Sequence, residues 1–160
     1  MLKNDNKKGI PISEIKNLKV FVNQNNFFNK KKIQLKKITI DNANFSLFTK
    51  DLKLIDNSNN NFSNKKIKIK NSNVFFRDKG NQTIAIIKIN KAFLFFDNKK
   101  LFNLFKLEGE VFKIPFVFNV KKDSFENKEI NIKAQELNLN IFNRFSKNDK
   151  NFFNGENVIT

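Results

Sequence analysis

Several residue types on which protein chemistry often depends are absent from this 160-residue chain or scarce in it. The chain has no cysteine, histidine, tryptophan or tyrosine, and only two prolines, two arginines and four glycines. Without cysteine or histidine, this sequence excludes a disulfide, a zinc finger, a thiolate nucleophile and a Ser-His-Asp triad. The few glycines and prolines also argue against a flexible linker protein.

The residues that are present are strongly biased towards a few types. The chain contains 29 lysines, 30 asparagines, 21 phenylalanines and 18 isoleucines. Ile, Leu, Val and Phe together make up 58 of the 160 residues, far above the level of about 20% below which a chain is typically disordered. The composition therefore predicts a folded chain built from β-forming residues, with lysine and asparagine at its exposed positions.

The formal net charge of +16 has two interpretations. Lysine, asparagine, isoleucine and phenylalanine are all encoded by AT-rich codons, so an AT-rich genome would produce this bias without selection for a basic surface. Alternatively, the charge serves an anionic partner such as a nucleic acid or lipid headgroups. Composition alone leaves both interpretations open.

The dominant hydrophobic period is two residues, which is typical of β-strands. The clearest example runs from Ile84 to Phe96, more than twice the usual strand length of about 5–6 residues. In this segment the odd-numbered residues from Ala85 to Phe95 are apolar except for Lys91, so we expect them to form one face of the strand. The other predicted strands are Leu18–Val22, Lys32–Phe48, Lys65–Arg77, Leu104–Lys113, Phe116–Lys121 and Glu129–Ile141.

An internal repeat appears at an offset of 29 residues. Lys36–Phe45 aligns with Lys65–Val74, and Ile87–Phe93 is a weaker copy. Each copy is a strand that is interrupted at Asn, Ala or Ser and then resumes with large apolar residues. The repeat predicts a repetitive β-architecture in which strands add along an axis, and chance similarity in a biased sequence is the alternative.

The segments between the predicted strands give expectations about turns and ends. Asp78-Lys79-Gly80-Asn81 has the chemistry of a turn, because glycine and asparagine accept positive φ. A change of parity near Gln135-Glu136 predicts either a bulge or two strands joined by a bend. We expect Phe142–Asn151 to be a short helix or a linker, and Asn157–Thr160 to begin another strand. The predicted organisation is a poorly defined segment with one strand (1–31), a repetitive β-segment (32–141), and a linker or the start of the next repeat (142–160).

The sequence offers little for catalysis. Glu108 and Glu110 lie two residues apart on a predicted strand and would share a face, but no nucleophile or metal ligand accompanies them. No Walker loop or dinucleotide-binding glycine motif is present. We therefore predict that the chain is not an enzyme and uses no cofactor or metal.

The strand Val74-Phe75-Phe76-Arg77 offers a superficial argument for nucleic acid, because aromatic residues on RNA-binding strands stack on bases. Recognition modules usually depend on arginine, tyrosine or tryptophan, which are rare or absent here. A basic nucleic-acid-binding β-domain is therefore the alternative function, with no sequence-specific recognition expected.

Two segments resemble AsmA-like proteins, which are relatives of TamB and YhdP. Ile67–Asp78 is similar to a recurrent strand of that family, in which I-x-I-x-N is followed by alternating apolar residues and an aspartate. In the family, a turn and a second long strand follow this strand, as Ile84–Phe96 does here. Leu107–Val120 is similar to the family's L-x-G strand, its turn and its proline-led return strand. The resemblance covers roughly residues 36–141.

This resemblance implies a bacterial envelope protein with a taco-shaped periplasmic β-groove, anchored in the inner membrane by an N-terminal helix. The groove's apolar inner face would shield phospholipid acyl chains on their way between the inner and outer membranes. This chain lacks the anchor helix, so the resemblance implies an internal fragment whose contacts with the membrane lie in other parts of the protein.

The expected fold is all-β: a long, twisted, mostly antiparallel sheet that curls into an open groove, with little helix. Phospholipid acyl chains are the expected partner, and neither face of Ile84–Phe96 is a clean solvent face. The predicted lipid-contacting residues are Ile67, Ile69, Ala85, Ile87, Ile89, Phe93, Phe95, Phe116, Phe118 and Val120.

Overall fold

The computed structural model describes residues 13–23, 34–49, 62–123, 127–147 and 153–160. Within these ranges the chain forms nine strands and a 3₁₀ turn at Gln135–Leu137. The strands are β1 (Ser13–Val22), β2 (Leu35–Phe48), β3 (Lys66–Arg77), β4 (Thr83–Asp97), β5 (Phe102–Val111), β6 (Ile114–Asp123), β7 (Lys128–Ala134), β8 (Leu139–Lys147) and β9 (Phe153–Ile159).

The nine strands form one sheet in which spatial order follows chain order from β1 to β9. Only β2 and β3 pair in parallel, and the other neighbours are antiparallel. The sheet is open, because β1 and β9 lie at its two edges rather than against each other. The prediction of an all-β, mostly antiparallel sheet that is not closed into a barrel is confirmed.

The parallel pair explains the internal repeat. Lys37 lies opposite Lys66 and Phe48 opposite Arg77, so each residue of β2 pairs with the residue 29 positions later. Side chains reinforce this register: the Asn73 amide donates to Asn44 Oδ1 at 3.1 Å, and the Ala43 N–H donates to Ser72 Oγ at 3.0 Å. The repeated sequence therefore stacks on its own copy, residue by residue.

A line of irregular backbone crosses strands β2, β3 and β4. Asn42 and Asn71, which are equivalent in the repeat, have φ of 58° and 45°, values that asparagine tolerates better than most residues. On β4, Ile89 lies opposite Gly109 whereas Lys91 lies opposite Glu108, so Asn90 is an extra residue against β5. Such a bulge reverses the alternation of side chains.

The bulge corrects the predicted face of the long strand. The length of β4, 15 residues, agrees with the prediction. However, Ala85, Ile87 and Ile89 share their face with Ala92 and the even-numbered residues that follow it, as their partners on β5 show. The expectation that Phe93 and Phe95 lie on that same face is therefore wrong.

Several predicted turns and ends can be compared with the structure. The Asp78–Asn81 turn is present: the Gln82 N–H donates to Asp78 Oδ1 at 2.9 Å, and Asn81 has a φ of 65°. At Gln135–Glu136 the chain forms two strands joined by a turn, the second of the two alternatives, and Asn138 closes the turn in the left-handed region. The first two residues of the predicted strand Lys32–Phe48 lie outside the described residues.

The C-terminal part differs from the prediction in two respects. The expected helix or linker over Phe142–Asn151 is wrong as far as Lys147, because β8 continues to that residue and pairs with β7. The rest of that prediction, residues 148–151, lies outside the described residues. Arg144 forms an ion pair with Glu129 across these strands at 2.9 Å. Asn157–Ile159 does lie in a strand, but it ends β9 and does not begin a strand as expected, because β9 starts at Phe153.

Burial identifies the face around which the sheet curls. The buried apolar residues of the described part are Ala43, Ile89, Ala92, Leu107 and Ala134, and the strand pairings place all of them on one face. Ile89, Ala92 and Leu107 pack with larger side chains of the same face, including Phe105 and Phe118. No second layer of described residues covers them, so the sheet must curve for neighbouring side chains to enclose one another.

Gly109 lies on this face beside the bulge of β4, and we predict that Gly109→Ala destabilises the fold. A Cβ there would overlap the backbone oxygen of Lys88 and press on Leu107 Cδ2 at 3.1 Å. Overpacking against backbone costs about 1–3 kcal/mol, which denaturant unfolding measures. Gly80→Ala is the matched control, because its Cβ would meet Asp78 Oδ1 at an ordinary 3.4 Å, and we expect a change within about 0.5 kcal/mol. Equal effects of the two substitutions would contradict the close approach at Gly109.

Candidate apolar groove

We call the face that contains Ala92 and Leu107 the inner face, because the sheet curls around it. Residues that pair directly across neighbouring strands point to the same side of a sheet, so the register extends this face from strand to strand. From β2 to β7, the large or branched apolar residues of the inner face are Ile38, Ile40, Phe45 and Leu47 of β2; Ile67, Ile69, Val74 and Phe76 of β3; Ile87, Ile89, Leu94 and Phe96 of β4; Phe105, Leu107 and Val111 of β5; Ile114, Phe116, Phe118 and Val120 of β6; and Ile130 and Ile132 of β7.

Most of these side chains are half-buried, since they contact one another but no described residue lies over them. Phe105 and Phe118 meet edge to face, with ring centroids 5.8 Å apart. Exposure rises towards the two edges of the sheet, where Leu18 of β1 is 56% exposed and Ile159 of β9 is 69% exposed. The inner face is thus a continuous apolar surface that is uncovered along the described strands.

Eight of the ten predicted lipid-contacting residues lie on the inner face. The pairings Ile67–Leu94, Ile69–Ala92 and Gly109–Phe116 show how the face passes between strands. The eight are Ile67, Ile69, Ala85, Ile87, Ile89, Phe116, Phe118 and Val120.

Phe93 and Phe95 lie on the opposite face, which we call the outer face, where they pair with Lys106 and Leu104. Leu94 and Phe96 take their places on the inner face. Sequence reasoning missed this exchange because residues 92–96 are apolar at both parities. Asn90, at the level of the irregular Asn71, is the signal that could have revealed it.

The outer face combines lysine with phenylalanine. The Lys68 and Lys91 ammonium groups lie 5.6 Å and 5.1 Å from the centroid of the Phe93 ring, and Lys66 lies 5.4 Å from that of Phe95. Desolvation and the charges of neighbouring lysines, Lys70 first, lower the pKa of the Lys68 ammonium. The ammonium groups therefore lie over the phenylalanine rings in cation–π contacts.

The acidic pair Glu108 and Glu110 also lies on the outer face, as the sequence predicted. Glu108 forms an ion pair with Lys106 at 3.0 Å, and Glu110 forms one with Lys88 at 2.9 Å. The hydrogen bond from Lys106 lowers the pKa of the Glu108 carboxyl. The Glu108 carboxyl is thus held in the charged form, and both carboxylates lie in ion pairs with lysines, which suits a solvated strand surface better than general acid catalysis.

Polar residues mark one end of the inner face. Asn103, which is 9% exposed, lies opposite Lys122 of β6, and Lys122 in turn lies opposite Lys128 of β7. The inner face therefore changes from hydrocarbon to amide and ammonium groups at this end of the sheet.

Other kinds of site are not evident in the described part of the chain. It contains no group of three or more residues arranged to hold a metal ion. None of its helical segments has the length and apolar character needed to cross a membrane. A shallow pocket of about 350 Å³ beside the β7–β8 turn is lined mainly by polar residues, among them Lys133, Gln135 and Asn140.

Comparison with protein-family models, with curated proteins and with solved structures found no match. The geometry of the two faces is therefore the basis on which a function for this chain can be argued.

Proposed function

We propose that the inner face shields the acyl chains of phospholipids, and that the chain is a segment of an AsmA-like envelope protein that moves lipid between the inner and outer membranes. The observation that supports this proposal best is the continuous apolar inner face, which is uncovered across the described strands, whereas lysines are interspersed with the apolar residues of the outer face. A periplasmic location with an inner-membrane anchor elsewhere in the protein belongs to the same proposal.

The inner face suits hydrocarbon because its side chains offer dispersion contacts and almost no hydrogen bonds. Its central rows are Ile, Leu, Val and Phe, and the buried positions between them are small, such as Ala43 and Ala92. Removing a methylene group from water is favourable by about 0.8 kcal/mol. Two acyl chains of ordinary length would therefore gain well over about 10 kcal/mol before the entropic costs of binding.

The proposed mechanism is passive. No residue needs to form or break a bond, because the work is to lower the free-energy cost of exposing hydrocarbon between two membranes. An open edge on the sheet would let a lipid enter sideways, and a series of similar apolar rows would let it move from strand to strand without a deep energy minimum.

The alternative function, nucleic-acid binding through stacked bases, is less well supported. Base stacking requires open aromatic faces, and the rings on the basic side of the sheet are partly covered. Phe93 has the ammonium groups of Lys68 and Lys91 over it, at 5.6 Å and 5.1 Å from its centroid.

The adjacent residues Ile86 and Ile87 provide a matched test, because they lie on opposite faces of β4. Ile87 is half-buried on the inner face, whereas Ile86 is 46% exposed on the outer face. We predict that Ile87→Asp weakens binding of a phospholipid with a fluorescent acyl chain by about ten-fold or more, since bound hydrocarbon would desolvate the charge. Ile86→Asp should leave binding within about two-fold of the unmodified chain. Equal losses, or no loss from either change, would contradict the proposal.

A photo-crosslinking phenylalanine derivative gives a second test that does not depend on affinity. Phe118 lies on the inner face and Phe93 on the outer face, so the same residue type is compared at both. We predict that the derivative at Phe118 captures lipid when the protein is irradiated with pure phosphatidylcholine vesicles, which carry no net charge to attract the outer-face lysines, and that the derivative at Phe93 captures little. Ile89, which is only 4% exposed, is unsuitable for a charge test because an aspartate there would disrupt the core cluster. Capture at Phe93 but not at Phe118 would mean that lipid meets the outer face, which would contradict the proposal.

A further inference from the structure

The outer face of β2, β3 and β4 carries a cluster of lysines that the inner-face proposal does not use. We call Lys37, Lys66, Lys68, Lys70 and Lys91 the lysine patch. Lys37 lies opposite Lys66 across the parallel pair, and Lys70 lies opposite Lys91 across the antiparallel pair. The fold thus brings together lysines from three separate segments of the sequence.

Few acidic groups balance the patch. Asp41 lies opposite Lys70 and accepts a hydrogen bond from the Asn71 amide at 2.9 Å. Glu108 lies opposite Lys91 and forms an ion pair with Lys106 at 3.0 Å. Both carboxylates are therefore shared with groups outside the patch. The lowered pKa of Lys68, caused first by desolvation and then by Lys70, Lys37 and Lys91, is consistent with mutual repulsion among these lysines.

The aromatic residues beneath the patch hold the lysines rather than offer stacking surfaces. Phe93 contacts the ammonium groups of Lys68 and Lys91, and Phe95 contacts that of Lys66, all within 5.6 Å of a ring centroid. The patch contains no arginine, so it has no planar fork for bidentate recognition of a base or a single phosphate. Lysines act as point charges on flexible stems, which suits phosphates spread over a surface.

We propose that the lysine patch binds the surface of an anionic phospholipid bilayer, with headgroup phosphates contacting Lys66, Lys68 and Lys91. The outer face lies on the other side of the same strands from the inner face, so it can meet a bilayer while the inner face stays free. This proposal is independent of the inner face's function, because the patch and the inner face point to opposite sides of the same strands.

The test is co-sedimentation of the chain with phosphatidylcholine vesicles that contain one-third phosphatidylglycerol, compared with pure phosphatidylcholine vesicles. A triple variant, Lys66→Gln with Lys68→Gln and Lys91→Gln, should lower partitioning by about a hundred-fold at low salt, since each lysine near an anionic surface contributes about five-fold. The matched control changes the turn lysines Lys79, Lys99 and Lys100 to Gln, which removes the same charge. We expect the control to lose less than about five-fold in total.

Equal losses in the two triple variants would overturn the proposal, because net charge rather than the patch would then govern binding. Absence of binding to the anionic vesicles would also overturn it, as would tighter binding to a single-stranded RNA than to these vesicles at the same salt concentration. If a variant does not fold, chemical acetylation of the lysines in the unmodified chain, with and without anionic vesicles, tests the proposal instead. Vesicles should protect Lys66, Lys68 and Lys91 more than Lys79, Lys99 and Lys100, and equal protection would contradict the proposal.

Discussion

The described strands form a sheet one layer thick, with no second layer of described residues to bury its apolar side, and much of this structure follows from that constraint. Apolar area must leave water for the chain to fold, and here it can do so only if side chains of one face enclose one another. Ala92 is small and fully buried at the centre, and Phe105 and Phe118 pack against the cluster that Ala92 forms with Ile89 and Leu107. Self-burial of this kind is incomplete, and the half-buried inner face that remains is the surface to which we assign acyl chains.

The irregular line through Asn42, Asn71 and Asn90 is where the sheet changes its alternation. Because β2, β3 and β4 are irregular at the same level of the sheet, the apolar residues before and after the irregular position stay on one face. A regular strand would instead place Ile87 and Leu94 on opposite faces, and the inner face would be interrupted by lysine. Gly109 belongs to the same arrangement, since it leaves space for the Lys88 backbone oxygen beside the bulge.

Much of the fold could be predicted from period-two patterning, because strands with Ile and Phe at alternate positions have few other ways to bury them. The repeat in Lys36–Phe45 and Lys65–Val74 also anticipated stacking of the two copies. The faces of Phe93 and Phe95 could not be predicted, because they depend on one backbone irregularity in a segment that is apolar at both parities. Nor could β8 be predicted, because Phe142 and Phe145 have a helical spacing. Pairing with β7 on one side, including Arg144 with Glu129, and with β9 on the other makes that segment a strand.

The central claim is that the inner face, and not the outer face, meets hydrocarbon. Methyl NMR with a fatty acid that carries a nitroxide on its acyl chain tests this claim most directly. The experiment compares two residues of the same type that lie on opposite faces. Ile87 and Val120 lie on the inner face, whereas Ile86 and Val117 lie on the outer face. The account predicts that the nitroxide broadens the methyl signals of Ile87 and Val120 and leaves those of Ile86 and Val117 sharp. Equal broadening of both pairs, or broadening confined to Ile86 and Val117, would contradict it.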